Sequence, residues 1–244
     1  VNLYCFVNNN PVSKWDRWGL IGYNQALRQE WNRQLSEIPW YERIRVRLFE
    51  KQWRAALSPE AKFYIWYEAD KAEGTAWMDN LPNCPDCIKI GSDGKPENCT
   101  NGQWSEIQEL EENNFYHPGA KWAMRSNELW GFESGVQQQC TYDKHGYLIK
   151  SGMAAGTPDK GTGNVWGYTK HYGKVLFIDH NGGSSEHEDQ DVIPYKIARE
   201  LDGLKEDEKA EEILKKFIDP YGLPHLKKYL ELRLPNQGGG SCYD

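Results

Sequence analysis

The chain has 244 residues and a formal net charge of −7. At roughly 150 residues per domain that allows one or two domains. With 39% hydrophobic and 27% charged residues it is neither collagen-like, low-complexity nor fully disordered. No apolar run approaches the roughly 18 residues of a spanning helix, and no charged-then-apolar leader opens the sequence. The acidic balance argues against a protein that coats nucleic-acid phosphates.

In chain order, residues 1–23 read as a short extended segment and residues 24–82 as helical. Leu27, Trp31, Leu35 and Ile38 fall on one face of a first helix, which Pro39 interrupts. Ile44, Leu48, Phe49, Trp53 and Leu57 mark a second. Ser58-Pro59 predicts the start of a third, a capping hydroxyl followed by a first-turn proline, running through Phe63, Trp66 and Trp77 to a stop before Pro82. The composition then shifts to Gly, Asn, Asp and Ser. Residues 105–112 read as a short acidic helix. Residues 141–149 read as a hairpin around Asp143-Lys144-His145-Gly146, and residues 174–178 as a buried strand. Helix returns at Pro194, with Gly203 as its stop, then at Ala210–Phe217 and again after Pro224. Gly238-Gly239-Gly240-Ser241 reads as a disordered tail. The expected fold class is α+β: an N-terminal helical segment, a loop-rich small-sheet domain, and C-terminal helices.

Six cysteines stand at positions 5, 84, 87, 99, 140 and 242. Their number leaves the redox compartment open, and both a stapled loop and a metal knuckle are possible. Cys84-x-x-Cys87 has zinc spacing, with Cys99 and either His117 or Cys140 to complete a set, but the second close pair of a zinc ribbon is absent. The acidic, histidine-bearing run from Asp179 to Asp191 lacks EF-hand spacing and reads as a solvated loop. No metal site and no cofactor are assigned. His-Asn-His nuclease, zinc-deaminase and Gly-x-Ser-x-Gly signatures are all absent from the sequence.

Residues 2–20 read Asn-Leu-Tyr-Cys-Phe-Val-Asn-Asn-Asn-Pro-Val-Ser-Lys-Trp-Asp-Arg-Trp-Gly-Leu. This resembles the end of the RHS repeat-associated core, Asn-Leu-Tyr-x-Tyr-Val-x-Asn-Asn-Pro followed by Asp-Pro-x-Gly-Leu. Arg17 stands where that pattern has proline. The resemblance implies a β-cocoon shell upstream and a C-terminal toxin payload that begins after Leu20. It also implies an aspartyl-protease-like release, with Asp16 as one catalytic aspartate and its partner upstream of residue 1. The partners it implies are that RHS shell and a cognate immunity protein; the acidic balance and the lack of a long apolar run separately lead to the expectation of no nucleic acid and no membrane span. The payload would be secreted or delivered into a target cell.

A second succession runs Tyr116-His117-Pro118-Gly119-Ala120, Arg125-Ser126, Gln138-Gln139-Cys140-Thr141-Tyr142, Gly156-Thr157-Pro158-Asp159, then His187 and Asp191-Val192. It resembles the AMOP domain, an adhesion-associated extracellular module, over residues 83–198. The chain thus divides into 1–20 (RHS core end), 21–82 (helical segment), 83–198 (AMOP-like) and 199–244 (helices and tail). Ala123 and Thr141 replace two cysteines of the AMOP pattern. Cys84, Cys87, Cys99 and Cys140 remain to form two disulfides in any of three connectivities. The candidate catalytic residues are Asp16, His117, Arg125, Cys140, His187 and Asp191. In one reading His187 is the base, oriented by Asp191, and Cys140 is the nucleophile. In the other, Cys140 is bridged, His117 is a turn residue and Asp191 caps a helix. If residues 83–198 form one unit, His117 and Arg125 are expected to meet His187 or Asp191 in a single cluster. The corresponding alternative function is a non-catalytic adhesion or glycan- or protein-binding module.

Overall fold

In a computed structural model, the structure describes residues 23–39, 43, 50–97, 103–127, 136–160, 187–205, 207–239 and 242. The RHS-like segment with Asp16, the strand expected at 174–178, and Cys99 lie outside the described residues.

Six helices are described: α1 (Tyr23–Ser36), α2 (Glu50–Ala56), α3 (Pro59–Glu73), α4 (Ile193–Leu201), α5 (Ala210–Ile218) and α6 (Pro224–Leu232). Four strands join them: β1 (Gln108–Glu109), β2 (Trp122–Arg125), β3 (Val136–Tyr142) and β4 (Pro158–Lys160). The strands form one antiparallel sheet in the order β1-β2-β3-β4. This is the α+β arrangement with helices on both sides of a small-sheet segment.

Ser58 caps α3 as its residue type requires, its Oγ accepting the Ala61 N–H at 3.1 Å. The helix ends sooner than its apolar pattern implies. Gly74 takes φ +84°, a conformation side chains resist, and Trp77 falls on a separate 3-10 turn, Ala76–Asn80. Gly146 likewise takes φ +84° in the hairpin after β3, where a Cβ would overlap the Ile88 carbonyl. The Asp143 carboxylate accepts the N–H groups of His145 and Tyr147, closing that turn.

The acidic helix expected at 105–112 is instead extended. Gln108 and Glu109 pair with Ala123 and Trp122, and the Leu110 N–H donates to Lys121 O. An eight-residue helix is marginal by itself. Glu111 and Glu112 would sit at its negative C-terminal end, whereas sheet pairing supplies the backbone partners. The tail is corrected as well. Gly238 packs against Asp86 and Leu148, Gln237 bonds to Lys150 O, and Cys242 is covalently joined to Cys87.

One hydrophobic core takes Leu27, Trp31, Phe63 and Trp66 from the N-terminal helices and Tyr195, Ile213, Leu226 and Tyr229 from the C-terminal ones. Helices α1–α3 and α4–α6 therefore fold against each other. A second core under the sheet holds Cys84, Ile88, Trp104, Trp122, Met124, Cys140 and Tyr142. Fully burying each large apolar side chain contributes about 1.5–3 kcal/mol, so both cores are substantial supports for the pocket between them. Among the described residues no helix is long and apolar enough to cross a membrane.

Candidate functional site

Sheet register brings distant sequence together. Arg125 on β2 sits opposite Gln139 on β3, and Gln137, two residues along the same face, sits opposite Asp159 on β4. A π-helical turn, Glu188–Val192, leads into α4. His187 and Asp191, four residues apart, come to one side of it. Across from them, the loop before β2 supplies Tyr116 and His117. These residues line one pocket of about 630 Å³, inside the roughly 300–1,000 Å³ range of small-molecule sites. His117, Arg125, His187 and Asp191 thus meet in one pocket.

His187 Nδ1 lies 3.2 Å from Asp191 Oδ2 and 3.1 Å from Lys160 O. Burial alone would lower the His187 pKa. The Asp191 hydrogen bond and the charges of Asp159 and Asp191 outweigh it and raise the value to about 9. The ring is therefore an imidazolium at neutral pH. It suits a proton donor better than the base expected of it. Asp191 is 3% exposed. Burial pushes its carboxyl up, but Arg233 and His187 prevail and hold it below the ordinary value. It does not cap α4. Its Oδ1 takes Arg233 Nε at 2.7 Å and its Oδ2 the Lys160 N–H at 2.6 Å.

Arg125 Nε stands 3.2 Å from Asp159 Oδ2, an ion pair by distance, yet that buried oxygen receives no hydrogen bond. The Arg125 side chain is 48% exposed, against 8% for Asp159. The guanidinium thus stands toward solvent with the carboxylate behind it.

His117 is buried, and desolvation lowers its pKa, so it is neutral at physiological pH. Nδ1 meets Ala155 O at 3.0 Å and Nε2 meets the Gln139 side-chain amide at 2.9 Å. Both nitrogens are engaged, so His117, whose carbonyl accepts the Ala120 N–H at 3.1 Å to close the turn through Pro118-Gly119, is a turn residue that also braces β3 against the 153–157 loop. Tyr195 Oη donates to Phe115 O and Tyr116 O, both at 3.1 Å, and Arg199 lies over the Phe115 ring at 4.1 Å. Those contacts anchor the loop that presents Tyr116.

Cys140 is corrected. It is bonded to Cys84, fully buried in the core under the sheet, and lines no part of the pocket. A disulfide sulfur is not the thiolate that a nucleophile requires. Cys84 and Cys87, each in a different disulfide, are likewise not free to bind zinc.

Sequence reasoning did not assign the buried charges behind the pocket. Arg233 is 0% exposed and grips Asp70 through Nη1 (2.6 Å) and Nη2 (3.3 Å). Lys160, also 0% exposed, donates to Asp70 at 2.7 Å and Glu73 at 3.2 Å. The available signal was Asp70, a carboxylate on the apolar stripe of α3 between Trp66 and Glu73, where an ion needs a partner.

The AMOP domain family model matches residues 59–197, more than half of the chain. The match begins at α3, well before the expected start at residue 83. No curated protein and no solved structure matches the chain. The domain and the two disulfides are consistent with a secreted or extracellular protein.

Proposed function

The chain belongs to the AMOP domain family, and from that premise we propose that it is a secreted effector whose AMOP domain works through the pocket. In this reading it is the C-terminal payload of an RHS-type protein, released by a cut after Leu20 that uses Asp16, and restrained in the producing cell by an immunity protein. The RHS-like motif supports the delivery half. The convergence of Arg125, Asp159, His187 and Asp191 on one solvent-reached pocket carries the working half. Asp159, with an oxygen free of hydrogen bonds, is the proton acceptor. His187, held as a cation by two carboxylates, is the donor. Arg125 stands at the mouth to orient a polar substrate.

The test is expression of residues 21–244 in a bacterial host, with and without an export signal. The exported form is expected to arrest growth and D159N to relieve the arrest while remaining folded. Growth arrest by D159N equal to that of the unmodified chain would overturn the acid–base reading. A second reading, binding without turnover, is favoured by the exposed Tyr116 ring beside half-exposed Arg125. Adhesion to cells without toxicity, lost in R125A, would select it.

A further inference from the structure

The inner wall of the pocket brings two carboxylates and an imidazole to one point. A donor oxygen of Asp159, a donor oxygen of Asp191 and a ring nitrogen of His187 all lie within 4.8 Å of one another. We propose that Asp159, His187 and Asp191 form a binding site for one first-row divalent transition-metal ion of the Zn²⁺ or Mn²⁺ type.

The distances fit. Donors about 2.1 Å from a common ion stand roughly 3.0–3.4 Å apart in octahedral or tetrahedral geometry. His187 Nδ1 and Asp191 Oδ2 are 3.2 Å apart, and Lys160 O lies 3.1 Å from the same nitrogen. Asp159 has the farther to move. Its Oδ2 is buried and accepts no hydrogen bond, so no bond must break when the carboxylate turns. Its ion-pair partner Arg125 is half-exposed and follows at small cost. A desolvated carboxylate oxygen that accepts no hydrogen bond and is held only by a half-exposed ion-pair partner is the feature that calls for a ligand.

The outer contacts have the form that holds metal ligands in place. Arg233 Nε fixes Asp191 Oδ1 and the Lys160 N–H fixes Asp191 Oδ2. The donor types choose the ion class. Imidazole with two carboxylates favours zinc or manganese over calcium and magnesium, which prefer oxygen alone. Binding replaces the Nδ1 proton by the ion, and the proton leaves to solvent.

This inference rests on the same pocket but gives Asp159 and His187 a different role, since a bound ion takes the place of the proton they would exchange; it is read on the protein directly, so its failure is distinct from the failure of the toxicity assay. The full chain, stripped with chelator and with disulfides intact, is titrated with Zn²⁺, Mn²⁺, Ca²⁺ and Mg²⁺ by calorimetry and weighed by native mass spectrometry. One Zn²⁺ or one Mn²⁺ per chain is expected, zinc the tighter, with calcium and magnesium weaker than both. D159N and H187Q should each weaken binding by roughly a hundredfold or more, beyond the loss typical of an outer contact. H145Q, on the exposed hairpin turn, should bind like the unmodified protein. Should H187Q fail to fold, D159N and the unmodified protein still decide the matter. No one-to-one complex with either ion, or a complex that survives D159N at full affinity, would overturn the proposal.

Discussion

Replacing Arg233 by methionine tests whether the buried charges hold the two ends of the fold together. Methionine keeps much of the stem's length and removes only the guanidinium. Arg233 is fully enclosed, bidentate to Asp70 and bonded to Asp191, so α3, the turn before α4 and the end of α6 meet on one cation. Its loss leaves two buried carboxylates short of charge, although Lys160 still serves Asp70 and His187 still serves Asp191. Breaking a buried pair from one side costs about 3–5 kcal/mol. With a urea slope of about 2 kcal/mol/M, that moves the unfolding midpoint down by about 2 M. The control is R54M. Arg54 pairs with Glu50 one helical turn away, at 24% and 28% side-chain exposure, and its other bonds, to Asn24 on α1, are exposed, so its polar contacts together are worth at most about 1 kcal/mol. Trp fluorescence in urea, with disulfides intact, reads both variants. A loss in R233M below about 1 kcal/mol, or no greater than in R54M, would refute the argument that the network is sealed from water.

In metal-free buffer the His187 contribution to stability, on the order of 3 kcal/mol, should be fully present below its ordinary pKa near 6.5 and lost as pH rises to about 9; unfolding midpoints across that window should flatten in H187Q. On the acid side, Asp191 is held below its ordinary value, so its contribution is lost only as pH falls through that lowered pKa; midpoints measured down through that range should decline in the unmodified protein more than in D191N. The double variant C84A/C140A should lose about 4 kcal/mol, from a closed loop of sequence separation 56, yet retain activity where it remains folded; loss of activity at full folding would return Cys140 to the chemistry. On the proposed RHS-type reading, fragment sequencing of a longer parent protein carrying this chain should find an N-terminus at Ile21, and D16N should abolish it; an unchanged fragment pattern would remove Asp16 from the release step.

Where a local pattern carries its own physics, the fold was legible. Ser58-Pro59 announces α3, Pro194 and Gly203 bracket α4, and Asp143 with Gly146 builds the hairpin turn. What was not legible depends on distant partners. The 105–112 segment has helix-forming residues, but its backbone is claimed by β2. Pro158 hides β4, since proline is tolerated only on an edge strand such as this one. The glycine tail reads as loose, and nothing near it in sequence reveals that Cys242 finds Cys87, 155 residues away. Arg233 closes the last apolar stripe as one more surface cation, until Asp70 and Asp191 are placed around it.

The site shows the same division, and strand parity explains its one clear misassignment. The motif block Gln138-Gln139-Cys140 sets Gln139 and Cys140 side by side in the sequence. On a strand, neighbours point to opposite faces. Gln139 faces Arg125 and the pocket, so Cys140 must face Met124, Trp122 and Cys84 in the core below. Once residues 136–142 are recognised as a strand, no arrangement places both side chains in the pocket without a bulge. Asp159 gains its position by the same rule, through Gln137 and the β3–β4 register. His187 and Asp191 need no sheet, only a helical spacing of four residues. The pocket is therefore the meeting of a period-two face, a period-four pair and the loop that carries Tyr116 and His117. Cys140, on the opposite face of β3 from Gln139, belongs to the framework that holds it open.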